Sequence, residues 1–233
     1  MSSVAARLNM AAYVRQRLIE ARDFAAEALL PDQRRFDELH ERRHWDFDDP
    51  VERERYVHVL DAVKAHREKP ILRALEVGCA AGVFTSMLAL CAASVVATDV
   101  SPVACNQTRQ RIATLPHVTV QALDVLRDKP PGQFDAVFAM DTLELLKGPW
   151  NVAKAARKLC EALQPGGLLA LTCCDLQPAN YLSRILAAPM LNTGRSAVAY
   201  LDGRWGMRLV HRELHTGPEW YPDHIIAIYH KRA

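Results

Sequence analysis

A chain of 233 residues, half of them hydrophobic, can bury a full three-layer core without disulfides or a metal. Its 29 Lys and Arg nearly balance 27 Asp and Glu, with both signs mixed along the chain. That excludes the basic stripe of a nucleic-acid binder and leaves a small-molecule partner. Charges spread through the first thirty residues exclude a signal peptide, and no apolar run approaches the roughly 20 residues of a membrane span. The six cysteines form no C-x-x-C pair, which points to buried thiols in a cytoplasmic, reducing compartment.

In chain order, apolar residues at three- and four-residue steps predict a helix over 4–30, closed by Pro31. A second helix starts near Asp32, and H-W-D-F-D-D-P breaks it. A third, over 51–66, carries Val57, Leu60 and Val63 on one side. Residues 1–66 thus read as a helical cap, either a packing layer or a lid, ahead of one compact unit over 67–233. From 71 the pattern becomes strand 71–77, helix 83–90, strand 94–98, helix 102–114, strands 118–122 and 134–140, helix 150–163 and strand 168–174 after Q-P-G-G. Strands 209–215 and 225–230 follow, and 192–200 reads as irregular. Alternation of this kind predicts a Rossmann-like, seven-stranded, mostly parallel sheet with helices on both faces and an antiparallel last strand. A homodimer through the first helix is left open by periodicity.

In such sheets ligands sit at the carboxyl ends of the strands. The first strand ends in E-V-G-C-A-A-G, where Gly78 and Gly82 permit a tight turn around Cys79 and Ala80. The G-x-x-x-G spacing and the acidic Glu76 do not suit a pyrophosphate, but they suit a ligand carrying a sulfonium and an amino group. Asp99 ends the second strand, placed for ribose hydroxyls. Asp124 ends the third, placed for an adenine amine, and Met140 ends the fourth. Each acid alone reads equally as a helix cap. Three in ordered succession form the signal.

These motifs, with V-V-A-T-D-V-S-P, F-D-A-V-F-A-M-D-T-L-E-L-L and L-Q-P-G-G-L-L-A-L-T, resemble the class I S-adenosylmethionine-dependent methyltransferases. E-V-G-C-A-A-G-V-F-T and W-D-F-D-D-P-V-E-R-E-R-Y are similar to the nodulation-factor (NodS-like) N-methyltransferase family, whose substrate is an amino sugar. The resemblance implies that Glu76, Gly78 and Gly82 hold the methionine part of the cofactor. It also implies that Asp99 takes the ribose and Asp124 the adenine amine, between Val100 and Leu123. Arg55 would pair with the cofactor carboxylate. Relatives often carry a third glycine where Ala80 stands, and a His or Tyr where Leu145 stands, so no general base is inherited there. That absence leans toward nitrogen as the acceptor atom, with oxygen as the alternative; an RNA methyltransferase and a non-catalytic cofactor binder are further alternatives. Asp141, Glu144, His211, His215 and His224 are candidate bases, Glu144 and His215 foremost. Trp45, Trp220 and Tyr221 are the candidate substrate contacts.

Overall fold

The computed structural model describes residues 32–42, 44–146, 148–175, 194–218 and 221–232. The first predicted helix, Trp220 and residues 192–193 lie outside them.

Helix α1 (Asp32–Glu41) and helix α2 (Pro50–Ala65) precede the sheet. The Asp49 carboxylate accepts the Val51 N–H at 2.8 Å and Pro50 fills the first turn, so the D-D-P that ends one segment starts the next helix. Strand β1 (Ala74–Val77), helix α3 (Val83–Leu88), β2 (Val95–Asp99), helix α4 (Pro102–Arg111) and β3 (Val118–Ala122) follow. Then come β4 (Phe134–Met140), a single 3₁₀ turn (Leu143–Leu145), helix α5 (Pro149–Ala162), β5 (Leu163–Cys174), helix α6 (Gly194–Leu201), β6 (Met207–His215) and β7 (His224–Lys231). The seven strands lie in the order β3-β2-β1-β4-β5-β7-β6. The first five run parallel, β7 is antiparallel to β5, and β6 is antiparallel to β7. Because β2 and β4 flank β1, the winding reverses there, and the crevice at that reversal is where a ligand fits. Among the described residues no helix is long and apolar enough to cross a membrane.

Each face of the sheet has its own core. Leu75, Val77, Val137, Leu169 and Leu171 pack against α5 and α6. Ala74, Ala136, Phe138, Leu168 and Ala170 pack against α2 and α3. The alternation along β1 sends Glu76 to the second face, into the apolar layer.

Four local expectations change. The strand expected over 71–77 begins at Ala74, because the Asp135 carboxylate takes the Leu72 and Arg73 N–H groups at 3.0 and 2.8 Å. The Q-P-G-G segment is carried inside β5 as an irregularity: Leu163 pairs with Phe134, and pairing resumes at Ala136 with Leu168. Pro165 has no N–H for the ladder, and Gly166 is left-handed at φ +78. The supposedly irregular 192–200 contains helix α6, held by burial of Ala197, Val198 and Leu201. Finally, α2 buries Arg55, Tyr56, Val59, Ala62 and Val63, while Val57 is exposed. An arginine on the buried face rotates the helix away from its apolar reading.

Candidate active site

At the carboxyl ends of β1 to β5 lies a cavity of about 560 Å³. The turn after β1 forms its floor. Gly78 and Cys79 both donate to the Thr98 carbonyl, at 2.8 and 2.9 Å, and Gly82 donates to the Cys79 carbonyl at 2.8 Å. Gly78 stands at φ +82, and a Cβ there would overlap the Thr142 hydroxyl, so this glycine is obligatory on two counts. Ala80 is also left-handed, at φ +48, where an L-residue is strained by about 1–2 kcal/mol. Glycine at this position loses more chain entropy on folding, so Ala80→Gly should gain a net of about 0.5–1 kcal/mol. Thermal unfolding checks this: a Tm rise of roughly 2 °C is expected, and no rise would place the strain elsewhere.

Crossing the sheet, the acids fall into line. Asp99 is buried, with Oδ2 accepting the Ala80 N–H at 3.0 Å and Oδ1 the Ser101 N–H at 2.9 Å. Burial pushes its carboxyl above the usual range against the pull of those two donors. Asp124 accepts the Leu126 N–H at 2.8 Å and lies 3.4 Å from Arg127, so it serves as a turn cap and also lines the cavity. Val100, Leu123 and Met140 line it as well. Glu76 is fully buried, its Oε2 accepting the Thr85 hydroxyl at 2.6 Å. Desolvation dominates there and raises its pKa to about 8.

On the far side of the reversal stand Asp141, Thr142, Glu144, Cys174, Tyr221 and His224, with Glu52 of α2. Asp141 occupies a left-handed conformation at φ +50, and its Oδ2 meets the Arg55 guanidinium at 2.6 Å while Oδ1 accepts the Thr172 hydroxyl at 2.8 Å. Burial opposes its charge, but Arg55 and then His224 outweigh burial, so Asp141 stays ionised below the ordinary carboxylate range. Glu144 accepts the Cys174 N–H at 3.0 Å, and burial beside Asp141 raises it to about 8. Burial keeps His224 neutral; its Nδ1–H donates to the Pro222 carbonyl at 2.8 Å. Trp45 sits at the mouth in an aromatic group, 5.1 Å from His44, 5.4 Å from His40 and 5.8 Å from Phe47 between ring centres.

Two expected residues stand apart from the cavity. Arg55 is wholly buried behind its wall: Nε donates to the Tyr221 hydroxyl at 2.9 Å, Nη1 to Thr172 at 2.9 Å, and Nη2 to Glu52 and Asp141. Its fork is committed to protein partners, and a direct pairing with a ligand carboxylate has no geometric support. His215 closes β6 beside His58, ring centres 5.1 Å apart, and does not line the cavity. Trp220 lies outside the described residues.

The residues missed were Glu52, Thr142 and Thr172, the polar partners that hold Arg55, Asp141 and the Gly78 turn in place. Only Glu52 left a local trace, three residues before Arg55 in E-R-E-R.

The family model for Nodulation protein S (NodS) matches residues 32–175. Among curated proteins, a ubiquinone biosynthesis O-methyltransferase of Xanthomonas campestris pv. campestris is 31% identical over 154 residues, 63% of this chain and 62% of that protein. A nodulation protein S of Bradyrhizobium diazoefficiens is 34% identical over 114 residues, 49% of this chain and 54% of that protein. The chain thus spans less than two thirds of the curated relatives it matches. Among solved structures, the N-methyltransferase NodS from Bradyrhizobium japonicum WM9, in complex with S-adenosyl-L-homocysteine, superposes with a TM-score of 0.72 at 24% identity. That match covers 85% of this chain and 99% of that one.

Proposed function

The chain belongs to the NodS family, and from that premise we propose that it transfers the methyl group of S-adenosylmethionine to an amine nitrogen of a small molecule. The observation that carries the choice of nitrogen is the charge of the cavity. Eight acidic side chains line it, Glu76 and Glu144 with raised pKa values among them, and among the described residues neither Lys nor Arg does. Such a wall attracts a cationic sulfonium and an ammonium, and it repels phosphodiesters, which argues against RNA as acceptor. An O-methyltransferase for an acidic phenol would gain nothing from it.

The cofactor fits the first half of the cavity. The turn after β1 brings backbone close without the third glycine of a pyrophosphate site, and Glu76 beneath it makes no ion pair among the described residues. Glu76, Gly78, Cys79, Ala80 and Gly82 would hold the methionine part, Asp99 the ribose, and Asp124 the adenine amine between Val100 and Leu123. The bound cofactor supplies a methyl carbon already activated by positive sulfur. The protein's task is then to align the acceptor, exclude water and manage one proton, and alignment alone can supply several kcal/mol of the barrier. Asp141 and Glu144 face the acceptor end, with Tyr221 as a wall. The segment before β1 acts as the lid. Asp37 of α1 accepts the Ser101 hydroxyl at 2.5 Å, and Arg35 donates to the Leu145 carbonyl at 3.0 Å, so α1 bridges both halves. With its free thiols, the enzyme belongs in the reducing cytoplasm.

Calorimetric titration with S-adenosylmethionine and S-adenosylhomocysteine, with NADH as control, tests the reading. Micromolar binding of both adenosyl ligands is expected. Asp99→Ala should weaken it about 100-fold, the worth of charge-assisted hydrogen bonds to two hydroxyls together with the lost anchor of the Ala80 N–H. A folded protein that binds neither ligand would sink the proposal. Turnover of phenols but not amines would move it to oxygen.

A further inference from the structure

We propose that the acceptor arrives as an ammonium, that Asp141 holds its nitrogen, and that Glu144 removes its proton. This rests on the methyltransferase reading and deepens it. Two carboxylates at the acceptor end are differently built. Asp141 has both oxygens engaged, one by Arg55 and one by Thr172, and so is a fixed charge. Glu144, on the turn between β4 and α5, has Oε1 pinned by the Cys174 N–H at 3.0 Å. Its Oε2 is buried and has no hydrogen-bond partner among the described residues. A buried carboxylate oxygen left without a donor is rare and marks a place for one. Among the described residues neither Lys nor Arg lines the cavity and the Cys173 thiol alongside is a weak donor, so a cationic donor would come with the ligand.

The surroundings suit a proton acceptor. The charged and titratable groups that face Glu144 are Asp141 just after β4, Arg55 from α2, and Cys173 and Cys174 from β5, with the Cys173 thiol alongside it. Helices α5 and α6 meet its turn with apolar Val152, Ala155, Ala197 and Val198, in one cluster with Leu143. Burial and the Asp141 charge hold Glu144 near 8, where an ordinary carboxylate stands at 4.5. An alkylammonium titrates near 10, so proton transfer to Glu144 is uphill by about 2 pKa units rather than about 6. In the step, the N–H bond breaks and an O–H bond forms at Oε2. The lone pair freed on nitrogen then accepts the methyl group, and Glu144 returns its proton to water once the product leaves.

The full-length protein, loaded with S-adenosylhomocysteine, is titrated with glucosamine, the glucosamine disaccharide and benzylamine, with N-acetylglucosamine as neutral control. kcat/KM with S-adenosylmethionine is then followed from pH 6.5 to 10 for each amine that binds. Glu144→Gln should lower kcat/KM about 100-fold at pH 7, with the loss shrinking as the pH approaches that of the free amine. Glu144→Asp should keep part of the low-pH activity. Affinity for S-adenosylhomocysteine measures whether each variant is folded. A loss equal at every pH, no loss, or no amine bound by the loaded wild type would overturn the inference. Failure to bind S-adenosylhomocysteine would instead strike the methyltransferase reading itself.

Discussion

Replacing Arg55 by alanine is expected to lower folding stability by about 3–5 kcal/mol and Tm by roughly 10 °C. The guanidinium is wholly buried, and burial alone would depress its charge; the carboxylates of Asp141 and Glu52 outweigh that and hold it above the usual arginine range. Removing it leaves Asp141 and Glu52 facing one another beside Glu144 with no cation, and strips the Tyr221 and Thr172 oxygens of a donor. Arg55→Lys should recover only part of the loss, because a point charge cannot reach partners on α2, the turn after β4, β5 and the segment before β7 at once. Urea unfolding of the three proteins at one pH measures this. A loss under 1 kcal/mol for the alanine variant would mean that the network relaxes around the gap.

That network also shows where the sequence ran out. The ends of β1, β2 and β3 are legible because glycines and acids lie within a few residues of each strand, so that half of the cavity is written in local pattern. The half beyond β4 is built from contacts over long separations. Arg55 meets Thr172 across 117 positions and Tyr221 across 166, and no window of sequence contains both members of either pair. The periodicity predicts a helix over 51–66 with Val57, Leu60 and Val63 on one side; only Val63 of these is buried, because burying a charge in a four-partner cage overrides the apolar periodicity. His215 is legible as a histidine at a strand end, yet its distance from the cavity depends on β6 lying at the edge beyond β7, four strands from β1. Asp124 illustrates the opposite case. It caps its own turn and also lines the cavity, because a turn that closes a strand stands at the sheet's carboxyl end.

The acid beneath the glycine turn carries the second large effect. Glu76 has its pKa raised to about 8 by burial, against an ordinary 4.5. A folded-state pKa above the unfolded one means that the fold favours the protonated acid. Its contribution is therefore fully present below about pH 4.5 and is lost as pH climbs through 8. The shift is worth on the order of 5 kcal/mol between those limits, and Glu144 adds to the same slope. The ligand-free protein should thus lose stability from pH 5 to pH 8, and Glu76→Gln, which keeps the shape and removes the titration, should flatten much of that loss. A cationic ligand over Glu76 reverses the balance, since an opposite charge favours the ionised form. Binding of S-adenosylmethionine near pH 7 should release close to one proton, read as a dependence of calorimetric enthalpy on buffer ionisation, and should tighten up to tenfold per pH unit toward pH 8. Glu76→Gln should abolish the proton release and weaken binding while raising the Tm of the empty protein. If binding releases no proton and the variant is no more stable at pH 8, then Glu76 is already ionised beneath its turn, and the cationic end of the ligand is recognised elsewhere.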